Sequence, residues 1–183
     1  MSSPAHRTNP SSTQRSERAS GPLSTVGTEP LSTVGDVPWH EIKDSTGSAE
    51  GIPLLLHTAA WGTPDAARRA LGQLRARICQ YGFVVEQATA ATVPFLWELA
   101  QLPSVTCRAQ IIDLLGSIAA ARQWEDTAAV YPKLLNHREN HVVWERKARE
   151  AVRSRRGLIQ LLAAGENAEI ARATKKLARA LGE

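Results

Sequence analysis

The stretch ATAATVPFLWELAQLPSVTCRAQIIDLLGSIA, residues 88–119, decides the fold. Two apolar runs flank Leu102-Pro103-Ser104. In the first, Val93, Leu96, Trp97 and Ala100 recur at intervals of three and four. In the second, Cys107, Ile111, Leu114, Leu115 and Ile118 do the same, which is the spacing of one helix face. Proline has no N–H and its ring crowds the preceding turn, so Pro103 separates the runs and Ser104 is a candidate cap for the second. Thr89 is the candidate cap for the first. Pro94 falls inside that run, where it needs either the first turn or a bend. The pattern predicts two helices joined by a short turn and packed antiparallel.

The same grammar extends outward. A short helix is expected over residues 38–44 and a second over 49–60, with Ile52, Leu55, Leu56 and Ala59 on one face. Thr63-Pro64-Asp65 then supplies a cap, a first-turn proline and a first-turn acid. The helix that follows runs to about residue 79, with Ala67, Leu71, Leu74 and Ile78 as its stripe and Arg68, Arg69, Arg75 and Arg77 directed elsewhere. Tyr81-Gly82-Phe83 interrupts. Beyond residue 120, a helix is expected from near Glu125, kinked or split at Pro132. A long helix is expected over 140–164, capped by Gly165. A last one covers 166–181, with Ile170, Ala173, Leu177 and Leu181 in step, and ends at Gly182. No segment shows the alternation of a strand hairpin. The fold class is all-α, with apolar stripes on successive hairpins burying one another.

The chain has 183 residues, 43% of them apolar, enough for one compact domain and a tail. Residues 1–36 are rich in Ser, Thr, Pro and Gly and offer little surface to offset their ordering entropy, so they are expected to be a disordered tail before a helical domain at 37–183. That tail contains an identical pair, Pro22-Leu23-Ser24-Thr25-Val26-Gly27 and Pro30-Leu31-Ser32-Thr33-Val34-Gly35. It reads either as a duplicated linker or as two short docking motifs. The net charge of +4 is uneven. Residues 138–183 carry eleven basic and six acidic side chains, whereas residues 37–137 carry eight and nine. Cys79 and Cys107 have no partner spacing for a metal or disulfide framework and sit among apolar neighbours. With no leader and no apolar run of about 18 residues, secretion and membrane spanning are not expected, and a reducing cytoplasm fits.

Two stretches carry a family resemblance. One is Ala88-Thr89-Ala90-Ala91-Thr92-Val93-Pro94-Phe95-Leu96 followed by Ile111-Ile112-Asp113-Leu114-Leu115-Gly116. The other is Gly157-Leu158-Ile159-Gln160-Leu161-Leu162 followed by Glu169-Ile170-Ala171-Arg172-Ala173 and Lys176-Leu177-Ala178. A short apolar helix, a small turn and an Arg/Ala-rich helix resemble the unit of bacterial HEAT-repeat proteins, over most of residues 37–183. The resemblance implies a right-handed α-solenoid of stacked antiparallel hairpins with a concave surface. It also implies macromolecular binding without a cofactor.

The catalytic inventory is thin. No Gly-rich phosphate loop, nucleophile elbow or paired-carboxylate spacing occurs. His137 and His141 stand four apart, but Asn136 to Asn140 reads as a turn and no third ligand is evident. His57 reads as a helix-surface residue. Cys107 lies on an apolar stripe, where a thiol is inert. Glu125-Asp126 suits a helix N-terminus, where the macrodipole favours acids.

Charge is the stronger functional cue. Arg146, Arg149, Arg153 and Arg156 fall at spacings of three, four and three, and Arg172, Lys175 and Arg179 form a second stripe. If the stripes share a face, they make a positive surface for an acidic protein or for phosphates. The plainer reading is a solvated face balanced by Glu145, Glu150 and Glu169. Trp39, Trp61, Trp97, Trp124 and Trp144 fall near helix ends and are expected mainly to pack between hairpins, with Trp61 or Trp124 as candidate exposed anchors. These features predict a non-enzymatic protein-binding or adaptor module, with no cofactor. A nucleic-acid binder, including the DNA-repair type of HEAT protein, is the alternative. An inhibitor or immunity partner of a toxin is a third reading, by analogy.

Overall fold

The computed structural model describes residues 29–133 and 139–182, and these are mostly helical. Helix α1 (Ile52–Trp61) follows a 3₁₀ turn at Ala49–Gly51 and pairs with α2 (Pro64–Ile78). The Thr63 side chain accepts the Ala66 N–H at the start of α2, and Pro64 occupies the first turn, as the local sequence requires. Between α1 and α2, Gly62 cannot carry a side chain in place. An added Cβ would sit 2.5 Å from the Thr58 carbonyl oxygen.

The centre is built from α3 (Thr89–Gln101) and α4 (Arg108–Ala120). Val93, Leu96, Trp97, Leu99, Ile111, Leu114, Leu115 and Ile118 are buried there. The first run keeps its expected bounds and passes through Pro94. Thr89, however, does not cap it: Ala88 holds that position. The buried Thr89 hydroxyl donates to the Ile78 carbonyl at 2.5 Å and accepts the Glu86 N–H at 2.9 Å, which ties α3 to the end of α2. Ser104 does not cap α4 either. That helix starts four residues later, behind a turn that buries Val105 and Cys107.

Around this pair, α1 packs on α3 and α2 on α4. Helix α5 (Gln123–Val130) ends before Pro132 and leads to α6 (His141–Arg153), which lies against both α3 and α4. Helix α7 (Leu158–Ala163) pairs with α8 (Ala168–Leu181), and α8 runs along α4. The α8 ends are well defined. Asn167 accepts the Glu169 and Ile170 N–H groups, and Gly182 takes a left-handed φ of +86° as the C-terminal stop.

Four further expectations are corrected. Residues 38–44 form turns and a short strand rather than a helix: β1 (Lys43–Asp44) pairs with β2 (Gly47–Ser48). A second hairpin, β3 (Cys79–Gln80) with β4 (Val84–Val85), sits where only a break was expected. Two-residue strands are too short to show alternation, so pattern reading passes over them. The helix expected over 140–164 is two helices, because residues 154–157 form a turn around Gly157. Finally, the folded part of the chain includes residues before 37. Leu31 and Val34 are buried in the main core, with a 3₁₀ turn at Val34–Asp36.

Candidate functional site

The two basic stripes meet different fates. Arg149 is only 8% exposed and is committed internally. Its guanidinium donates to the Ala121 carbonyl at 3.0 Å, where α4 ends, and to Glu125 Oε1 at 2.5 Å, in the first turn of α5. Glu145, fully buried one turn earlier on α6, accepts the Trp124 and Glu125 backbone N–H groups at 2.9 and 3.1 Å. Helix α6 thus places a cation on the carbonyl end of α4 and an anion on the amide end of α5. Each neutralises groups that have no partner within their own helix. The hydrogen bond from Arg149 holds the Glu125 carboxyl below its ordinary pKa, and the same bond raises that of Arg149.

The rest of this stripe is scattered. Arg146 and Arg153 are exposed over a shallow cavity of about 420 Å³ that they share with Arg149, Glu150 and Ser154. Arg156 is exposed but lies in the 154–157 turn, off the α6 face. Helices α6 and α8 each pack against α4 more closely than against one another.

The α8 stripe is exposed. Ile170, Ala173 and Leu177 are buried, and Arg172, Lys175 and Arg179 are exposed. Among the described residues none of the three has an ion-pair partner. Lys176, next to them, reaches Asp113 on α4 at 3.4 Å. Gly116 faces Leu177, and a Cβ there would make ordinary contact with it at 3.7 Å.

Beside α8 lies a cavity of about 550 Å³. Lys176 and Ala180 of α8 line it, with Arg75 of α2, Asp113 of α4, and Gly82 and Phe83 of the β3–β4 turn. This turn is tight: the Phe83 N–H donates to the Gln80 carbonyl, and Tyr81 and Gly82 both have positive φ, +55° and +84°. Such a turn suits glycine at both central positions, and a tyrosine there is strained. Tyr81 is nevertheless 84% exposed, with its ring 6.1 Å from that of Phe83. The sequence signal for this site was present in Tyr81-Gly82-Phe83 but read only as a break. Lys176 and Arg75 escaped notice because their convergence is tertiary.

The tryptophans divide similarly. Trp61 is 57% exposed beside His57, on the side of α1 that also exposes Leu54. Trp124 is not a free anchor: its indole N–H donates to the Val85 carbonyl at 3.0 Å, and its ring stacks 4.3 Å from His141. Trp144 meets the His141 ring edge-on at 4.6 Å, and burial lowers the imidazole's pKa. His137 lies outside the described residues. Cys79 and Cys107 are buried free thiols; burial pushes Cys79 up to about 11 and also raises Cys107, so neither is a ready thiolate at neutral pH.

One acid stands apart. Glu86 is pushed up to about 7 by burial, and then by the neighbouring charges of Asp44 and Glu139. Asp44 is itself buried and paired with Arg77 at 2.9 Å. Among the described residues no group of three or more His, Cys, Asp or Glu side chains could hold a metal ion, and no helix is long and apolar enough to cross a membrane. The geometry around α8 therefore offers cationic and aromatic contact. No protein-family model matches the chain, and neither a curated protein nor a solved structure does.

Proposed function

We propose that this protein is a non-enzymatic binding module, and that α8 with the adjoining cavity receives an acidic segment of a protein partner. The observation that carries this reading is the contrast within α8: its apolar side packs on α4, while Arg172, Lys175 and Arg179 are exposed and form no ion pair among the described residues. Arg75 extends the positive character into the cavity, where Lys176 is paired with Asp113, and Phe83 supplies aromatic surface in its lining, next to the exposed Tyr81. Charge sets encounter rate and orientation, and aromatic anchors supply much of the affinity in such interfaces. A HEAT-like stacking of hairpins belongs to the same proposal. Its support is that α1 rests on α3 and α2 on α4, as in consecutive repeat units.

The test is affinity capture with the full chain and with R172E/K175E/R179E, beside a mobility assay with DNA and RNA at low salt. A partner retained by the native chain, lost from the variant and released by salt is the expected result. Equal capture by both chains would refute the α8 face as the site. Mobility shifts that fall steeply with salt would assign the face to nucleic acid instead.

A further inference from the structure

The duplicated hexapeptide acquires a meaning once its inner copy is seen in place. Residues 30–35 are docked against α3. Leu31 and Val34 are buried in the core, and the Leu31 N–H donates to Glu98 Oε2 at 3.0 Å. The Trp39 indole N–H donates to the Val34 carbonyl at 2.7 Å. Leu31 adopts a left-handed φ of +63°, unfavourable for a bulky residue, so the docking contacts hold it there. A cavity of about 310 Å³ remains between the docked copy and Glu98 and Gln101 of α3, with Leu102 just beyond its end. Apart from Trp39, the groups named in these contacts belong to the hexapeptide or to α3. Residues 22–27, outside the described part, have the identical sequence: Leu23 corresponds to Leu31 and Val26 to Val34.

We propose that the groove beside α3 is a peptide-binding site for Pro-Leu-Ser-Thr-Val-Gly, and that residues 22–27 are its second ligand, entering in cis by an eight-residue shift of register. The outer copy brings the same apolar side chains, the same amide for Glu98 and the same carbonyl for Trp39. When it docks, eight residues loop out ahead of Asp36. Closing a loop of that length disfavours the outer copy by roughly twenty-fold, from the chain-entropy dependence on loop length. The inner copy, which occupies the groove in the structure, therefore dominates, and the outer copy is the reserve. Docking in trans has no comparable advantage, because every chain has two ligands for one groove and a tethered ligand has a high effective concentration.

The reserve caps the damage that a substitution in the inner copy can do. Truncating a buried leucine to alanine ordinarily shifts an equilibrium by roughly thirty-fold or more. In L31A the outer copy takes over, so protection of the Trp39 indole N–H from hydrogen exchange falls by no more than about twenty-fold. In L23A it stays at the native level, and in L23A/L31A it is lost. The milder pair V34A and V26A/V34A repeats the comparison at lower risk to the fold. Adding the synthetic hexapeptide to L23A/L31A restores protection. Equal loss in each single inner-copy variant and its double partner would overturn the exchange. Failure of millimolar peptide to restore protection in the folded double variant would overturn the groove as a peptide site.

Discussion

Helices α6 and α8 carry basic residues at the same helical spacing, yet Arg149 of α6 is built into the fold while Arg172, Lys175 and Arg179 of α8 lie exposed. What separates them is the company each keeps. Arg149 meets Glu125, which is 24 positions away in sequence, together with Glu145 and an open helix end. Arg172, Lys175 and Arg179 meet no acid among the described residues. Spacing shows that a stripe exists; only the neighbouring elements decide whether it is spent on folding.

The largest expected effect tests the buried arginine of α6. R149M leaves Glu145 and Glu125 without their cation and lowers stability by about 3–5 kcal/mol, the usual cost of removing one partner of a buried pair. Denaturant unfolding measures it, and a loss below about 1 kcal/mol would break the contrast with α8. E145Q is the next in size. The amide keeps one acceptor oxygen for the α5 amides but loses the charge, at about 1–3 kcal/mol. Single alanine substitutions at Arg172, Lys175 and Arg179 sit at the other end, each within about 0.5 kcal/mol of the native chain.

Acid sharpens the comparison further, because a carboxyl bound to an arginine and a carboxyl set beside other acids respond in opposite senses. Glu125 is held below its ordinary pKa, so its contribution is complete above the unfolded value of about 4.3 and fades as pH falls through the lowered one. The penalty of E125Q therefore disappears in strong acid. Glu86 is raised to about 7, so its ionisation costs stability as pH rises from the unfolded value toward 7 and beyond. E86Q is expected to be more stable than the native chain at pH 8, by on the order of 1 kcal/mol after solvent screening, and equal to it near pH 4. Thermal midpoints across that range check both signs.

Much of the helical frame was legible because its causes are local. The α3 bounds follow from apolar spacing and Leu102-Pro103, the α2 start from Thr63-Pro64-Asp65, and the α8 stop from Gly182. The hairpins were not legible, since two-residue strands leave no period and Tyr81 is an unusual choice for a left-handed position. The docking of residues 30–35 was hidden by their polar composition. Two apolar side chains suffice there because the groove and Glu98, 67 positions away, are already in place. The candidate site was half visible. The α8 stripe could be read, but Arg149 was grouped with free arginines, and the cavity that joins Arg75, Phe83 and Lys176 exists only after folding.

An amide-shift titration of the native chain with a glutamate-rich peptide at low salt tests the central claim most directly. The account predicts that shifts concentrate on α8 from Arg172 to Arg179 and on Gly82 and Phe83, vanish with added salt, and leave the amides around Arg149 and Glu145 still. Shifts centred on the α5–α6 junction, or none on α8 at any peptide concentration, would contradict it.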